Sequence, residues 1–165
     1  MLPIRETLAD LPPPDPEALA HSRRLAEHIH AAIQQQGGRL SFAEYMQLAL
    51  YAPGLGYYSA GARKFGAAGD FVTAPELSPL FAAAVARQCA EVLAKLAGGS
   101  VLELGAGSGV MAADLLIELH KLDRLPQEYL ILEVSADLRQ RQRELLQSRV
   151  PQLFSKVRWL DRLPY

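Results

Sequence analysis

Cysteine is nearly missing from this chain: Cys89 is the only one. An intramolecular disulfide is therefore excluded, and a reducing, cytoplasmic compartment is the expectation. Cys89 falls in an apolar, helical pattern and reads as core rather than as a reactive thiol. No run approaches the roughly 18 consecutive apolar residues of a membrane helix. There is no basic excess, since the formal net charge is -1, so a nucleic-acid binder is not expected. A basic-then-apolar leader is lacking, and early acids (Glu6, Asp10) argue against a transit peptide. Three of the four histidines (His21, His28 and His30) share one helical stretch, with His28 and His30 on different faces. No metal site is expected there. No internal repeat or low-complexity segment occurs.

What is present is a helical first part, residues 1–98, and a strand–helix–strand part, residues 99–165. Pro12-Pro13-Pro14 ends an extended lead-in. Asp15-Pro16 reads as an N-cap and first helical position, and Gly37-Gly38 as the stop. The expected stripe of this helix is Leu19, Ser22, Leu25, Ala26, Ile29 and Ile33. Ser41-Phe42-Ala43-Glu44 is a capping box for a short helix reaching Tyr51. Pro and Gly make residues 53–58 a loop, and residues 59–72 keep that character. Long irregular stretches are more often functional than idle. Ser78-Pro79 starts another helix, whose expected apolar face is Leu80, Phe81, Ala84, Val85, Gln88, Val92 and Leu96.

Strands are expected at 100–104, 129–132 and 157–160, with helices from Val110 and after Ser135 between them. This alternation implies a parallel sheet with right-handed crossovers. In the helix after Ser135, Arg139, Arg141, Arg143 and Arg149 read as a solvated face.

Glu103-Leu104-Gly105-Ala106-Gly107-Ser108-Gly109 is the strongest chemical signal. A strand aims the chain at a turn whose glycines permit positive φ and close approach of a ligand. Dinucleotide folds space these glycines as GxGxxG; here the third comes one residue early. Glu103 would repel a pyrophosphate but favour a cation. S-adenosylmethionine, with its ammonium and sulfonium groups, fits such a site. A purely structural turn and an NAD(P) or other nucleotide site remain alternatives. Glu133, at the end of the second strand, can accept from both hydroxyls of a ribose or be a helix-start charge. Asp161 ends the third strand, where an adenine amino group would lie. Thr73-Ala74-Pro75-Glu76 fits a capping box, a direct role at the cofactor or substrate mouth, or both. Tyr57-Tyr58 are packed aromatics or part of a substrate channel.

From Ser41 to Gln142 the motifs are distinctive: SFAEYM, YAPGLGYY, GDFVTAPELS, the ExGxGxG turn and LEVSADL, in that order. Together they resemble the MidA-like methyltransferases, the family of a mitochondrial complex I assembly factor and many bacterial relatives. The resemblance implies a Rossmann-like class I methyltransferase fold and S-adenosylmethionine as cofactor. It also implies a protein substrate, with arginine in a complex I subunit as the acceptor for mitochondrial members. The cofactor-binding set expected is Thr73, Glu76, Glu103, Gly105, Ala106, Gly107, Ser108, Gly109, Glu133, Val134, Ser135 and Asp161; no catalytic base is assigned. The full class I fold has seven strands and this sequence reads as the first three, so the chain is expected to stop before the fold is complete. An open sheet edge, serving a dimer or companion chain, is the corollary. An NAD(P)-linked oxidoreductase and a non-catalytic assembly module are the other functional readings.

Overall fold

Asp15 accepts a hydrogen bond from the Glu17 N–H at 2.8 Å and, with Pro16, starts helix α1, Pro16–Gln35. A computed structural model describes residues 13–61, 69–70, 72–96 and 98–164. The lead-in before residue 13 and much of the 59–72 segment lie outside the described residues. Packing groups the chain into Met1–Tyr57 and Tyr58–Tyr165. The 98/99 division expected from the sequence follows a change of rhythm; the packing places the helices of residues 74–93 with the sheet.

In the first unit α1 ends on Gly37 and Gly38, both at positive φ, with the Gly38 N–H reaching back to the Ile33 carbonyl at 2.8 Å. Helix α2, Phe42–Tyr51, has the expected capping box: Ser41 Oγ accepts from the Glu44 N–H and Glu44 Oε2 accepts from the Ser41 N–H. The half-buried stripe of α1 is His21, Leu25, Ile29, Ala32 and Ile33. Leu19, Ser22 and Ala26 of the expected stripe are exposed. His21 rotates the face because its Nε2 bonds the Leu55 carbonyl at 2.8 Å.

The second unit holds a sheet of three parallel strands in the order β1-β2-β3: Val101–Leu104, Tyr129–Leu132 and Val157–Leu160. Val101 pairs with Tyr129 and Tyr129 with Val157. Apart from the Tyr129 hydroxyl, the side chains of the central strand β2 are apolar, as suits a strand paired on both edges and covered on both faces. β1 lies at an edge, and its Leu104 is 64% exposed. Helices α3 (Ala74–Leu77), α4 (Pro79–Leu93), α5 (Val110–Lys121) and α6 (Ala136–Arg149) surround the sheet.

The core joins Ala82 and Ala86 of α4, Ala112, Ala113, Leu115, Leu116 and Leu119 of α5, Tyr129 and Ile131 of β2, and Leu146 of α6. Small residues where α4 meets α5 let two helices approach closely. This overturns the expected face of α4 except at Val85. Ala82, Val85, Ala86, Cys89 and Leu93 turn inward, while Leu80, Phe81, Ala84, Gln88, Val92 and Leu96 are exposed. The helix is apolar nearly all round, so side-chain size, rather than hydrophobicity, decides its packing. Cys89 packs against the core as expected, and burial pushes its thiol pKa up.

Candidate functional site

β1 delivers the chain into the glycine turn at the carboxyl end of the sheet. The Gly105 N–H extends the β1–β2 ladder by bonding the Leu132 carbonyl at 2.9 Å. Gly105 then adopts φ 67°, and a Cβ built on it would meet nothing within 4 Å. The requirement for glycine here is conformational, and the space beside it is open to a ligand. Gly109 differs. It caps α5 at φ 85°, and its Cβ would lie 3.3 Å from the Cα of Gln142, so it also admits α6.

Gln142 organises the site from beneath. It is fully buried at an inward position of α6, between Leu138 and Leu146. Its Nε2 donates to the Gly107 carbonyl at 2.9 Å and to Glu133 Oε2 at 3.2 Å; its Oε1 accepts from Trp159 Nε1 at 2.9 Å. One amide thus ties together the turn, the end of β2 and β3. Sequence reasoning missed this residue. Its signal was a lone amide spaced four residues from leucines on either side, in the helix's buried stripe.

Two carboxylates flank the turn. Glu133 is 6% exposed; its Oε1 accepts from the Ser135 N–H at 3.0 Å and its Oε2 from Gln142. Glu103 accepts from the buried Tyr129 hydroxyl at 2.8 Å. Burial raises the Glu103 pKa above the usual carboxylate value; the Tyr129 hydrogen bond opposes that rise and the negative Glu133 adds to it. Burial, with Glu103 next, pushes the Tyr129 pKa well above the ordinary phenol value, so this hydroxyl keeps its proton and donates.

Ser108 Oγ donates to Glu76 Oε1, joining α3 to the turn. Thr73 is the N-cap residue of α3, yet its side chain makes no capping hydrogen bond. The expected capping box is therefore not formed; one oxygen of the Glu76 carboxylate accepts from Ser108 instead. Ser135 instead caps α6, accepting from the Leu138 N–H at 3.2 Å and donating to the Tyr58 carbonyl at 2.5 Å. Ala106 is buried and Val134 exposed. Asp161 lies apart from the turn at the end of β3, its side chain 86% exposed and paired with Arg139 at 2.8 Å.

Of the arginines expected as a solvated face, Arg143 and Arg149 are exposed and Arg139 and Arg141 half-buried, and all four have partners. Besides the Arg139 pair, Arg149 meets the buried Asp114 of α5 at 2.6 Å, and Arg141 meets Asp137 at 3.0 Å and the Gly61 carbonyl. Arg143 lies over the Trp159 ring, 4.8 Å from its centroid. Asp137 is an i,i+4 partner within α6 that charge spacing can reach; Asp114, Asp161, Trp159 and the Gly61 carbonyl come from elsewhere in the chain, beyond the reach of a charge-pattern argument.

The turn, Glu76, Glu103 and Glu133 thus converge at the carboxyl ends of β1 and β2. Open space at a glycine beside carboxylates suits a cationic ligand and disfavours an anionic one. Each Glu133 oxygen has one protein donor and retains capacity for another. Among the described residues no cluster of histidine, cysteine and acids able to hold a metal ion occurs, and no helix is long and apolar enough to cross a membrane.

Comparison with known proteins agrees with this chemistry. Residues 84–165 match the model of a putative S-adenosyl-L-methionine-dependent methyltransferase family. The mitochondrial protein arginine methyltransferase NDUFAF7 of Danio rerio is 37% identical over 132 residues, covering 76% of this chain and 31% of that protein. The Drosophila melanogaster homologue is 37% identical over 100 residues, covering 59% and 22%. A crystal structure of a COG1565 superfamily member from Burkholderia thailandensis, a likely methyl transferase bound to S-adenosyl-homocysteine, is 50% identical with TM-score 0.83. It matches over 94% of this chain and 41% of its own. The chain spans less than half the length of these relatives. With its glycine turn on a Rossmann-like parallel sheet, it is similar, over the part it spans, to the MidA-like S-adenosyl-L-methionine-dependent methyltransferases.

Proposed function

We propose that this chain forms the cofactor-binding part of an S-adenosyl-L-methionine-dependent protein methyltransferase whose acceptor is an arginine. The carrying observation is the open Gly105 turn flanked by the carboxylates of Glu103 and Glu133. Glu103 would balance the cationic amino-acid end of the cofactor. Gly105, Gly107 and Gly109 would let it pass close to the backbone. Glu133 would accept from the ribose hydroxyls, and Asp161 from the adenine amino group. Val134 is exposed beside Glu133 and offers an apolar surface to the base. Ala106 and Ser135 are buried and contribute backbone. Glu76 acts through Ser108, and Thr73 lies at the mouth.

When bound, S-adenosyl-L-methionine supplies the transferable methyl group and its sulfur leaving group. The residues of this chain contribute position and charge: they hold the reacting centre in line, which supplies about 7–11 kcal/mol in favourable cases. The arginine acceptor is argued from the NDUFAF7 relatives, named as protein arginine methyltransferases. A complex I subunit is the substrate that the sequence resemblance implies. A cytoplasmic setting belongs to the same reading and rests on the single, core-packed Cys89.

The open edge of β1 favours a second reading, a cofactor-binding module that works only once another polypeptide covers that edge. Methyl transfer from labelled S-adenosyl-L-methionine to a protein acceptor separates the two. The 165-residue chain alone is expected to bind without turnover. Turnover by this chain alone would remove the second reading, and absence of both binding and turnover would remove the first.

A further inference from the structure

Tyr129 is a tyrosine with no exposed surface in the middle strand of the sheet, where apolar residues would pack at lower cost. Its hydroxyl is satisfied by one partner, the Glu103 carboxylate, 26 residues away in sequence. In the β1–β2 register Tyr129 pairs with Val101 and Ile131 with Glu103, so tyrosine and glutamate stand on the same face of neighbouring strands. The tyrosine ring bridges the intervening rise and meets Glu103 from below. The groups that act on this pair are Glu133, whose charge faces Glu103, and Cys89 of α4, which faces Tyr129. On α5 the buried acid, Asp114, is already paired with Arg149. No cation of this unit is paired with Glu103 among the described residues; the tyrosine hydroxyl is the group that holds it.

We propose that Tyr129 is the positioning residue for Glu103, fixing its carboxylate as an ionised, oriented acceptor for the cationic end of the ligand. This rests on the cofactor reading above. The consequence has a definite sign. A hydroxyl donating to a carboxylate favours its charged form. Removing it raises the Glu103 pKa further. A protonated Glu103 no longer attracts a cation, so affinity must begin to fall at a higher pH on acidification.

The test is calorimetric titration of S-adenosyl-homocysteine into the wild-type chain and Tyr129→Phe across pH, with thermal melts of both. In the variant the acidic limb should move to higher pH, and affinity near neutrality should fall by about tenfold, the scale of one charge-assisted hydrogen bond. The loss should shrink as pH rises, leaving a residual that reports orientation. A lowered melting temperature with an unmoved acidic limb would make Tyr129 a packing residue and overturn the proposal. Carbon NMR of the Glu103 carboxyl and the Tyr129 ring in the wild-type, ligand-free chain gives a second measurement that needs neither the variant nor the ligand. The Tyr129 ring signal should follow the Glu103 titration with the same midpoint; a ring signal that ignores it would refute the coupling. If the wild-type chain binds no S-adenosyl-homocysteine at any pH while the two residues still titrate together, the cofactor reading fails and the pairing survives.

Discussion

Gln142 donates to the Gly107 carbonyl and to the Glu133 carboxylate with the same side-chain nitrogen, so the glycine turn and the end of β2 are set by one residue of α6. The candidate site is therefore only as rigid as the seat of α6 beneath it.

Replacing Gln142 by leucine keeps the volume and removes three hydrogen bonds. The Gly107 carbonyl, Glu133 Oε2 and Trp159 Nε1 then lose this partner in a buried or partly buried setting. The expected cost is roughly 2–4 kcal/mol: a penalty of about 1–3 kcal/mol for the buried Glu133 oxygen left unmatched, and about 0.5–1 kcal/mol for each of the two partly buried groups. Gln140 stands on the same helix and bonds Glu144 on its exposed side, so Gln140→Ala should cost about 0.5 kcal/mol or less. Urea unfolding of the two variants checks the contrast; equal effects would deny Gln142 its role.

Glu103→Gln should change stability and ligand affinity in opposite directions. The folded pKa of Glu103 is raised, chiefly by burial. Its contribution is thus most favourable below the ordinary carboxylate pKa and is lost as pH rises through the raised folded value. Glutamine still accepts from Tyr129 but carries no charge to desolvate. At neutral pH the ligand-free variant should melt at the same or a higher temperature than wild type. Its affinity for S-adenosyl-homocysteine should fall, because the counter-charge is gone. Melting curves at several pH values together with one titration decide it; a destabilised variant with unchanged affinity would assign Glu103 to the fold alone.

Among the described residues no strand pairs with the outer edge of β1, beside the exposed Leu102 and Leu104. Such an edge templates pairing with another strand. The isolated chain is expected to associate with a second copy through it as concentration rises. Leu104→Lys, at the exposed end of the strand, should weaken that association. Size-exclusion chromatography with light scattering reads both. A monomer at every concentration would show that the edge is protected.

Much of this architecture was legible because its signals are local. Asp15-Pro16, Ser41 to Glu44 and Ser78-Pro79 each start a helix where their hydrogen-bonding chemistry says they should. Short apolar runs after glycine or before an acid form the three strands. The ExGxGxG turn was legible because its conformation is written in its glycines. The rest depended on partners distant in sequence. The sequence at 73–76 reads as a capping box, yet Thr73 makes no capping hydrogen bond and Glu76 is bonded by Ser108, 32 residues on. The packing face of α4 was illegible because an all-round apolar helix has no periodic contrast, and α5 selects its alanines. The burial of Gln142 and the pairing of the exposed Arg149 with the buried Asp114 depend on the glycine turn and α5, which sequence spacing does not place.

The Gly105 turn, with Glu103 and Glu133, is expected to take an adenosyl ligand that carries an ammonium group. Calorimetric titration of the wild-type chain with S-adenosyl-L-methionine, S-adenosyl-homocysteine and NAD tests it most directly. The adenosyl ligands should bind measurably and more tightly than NAD, with Glu133→Ala weakening them. Tighter binding of NAD, or binding of the adenosyl ligands that Glu133→Ala leaves unchanged, would contradict the account.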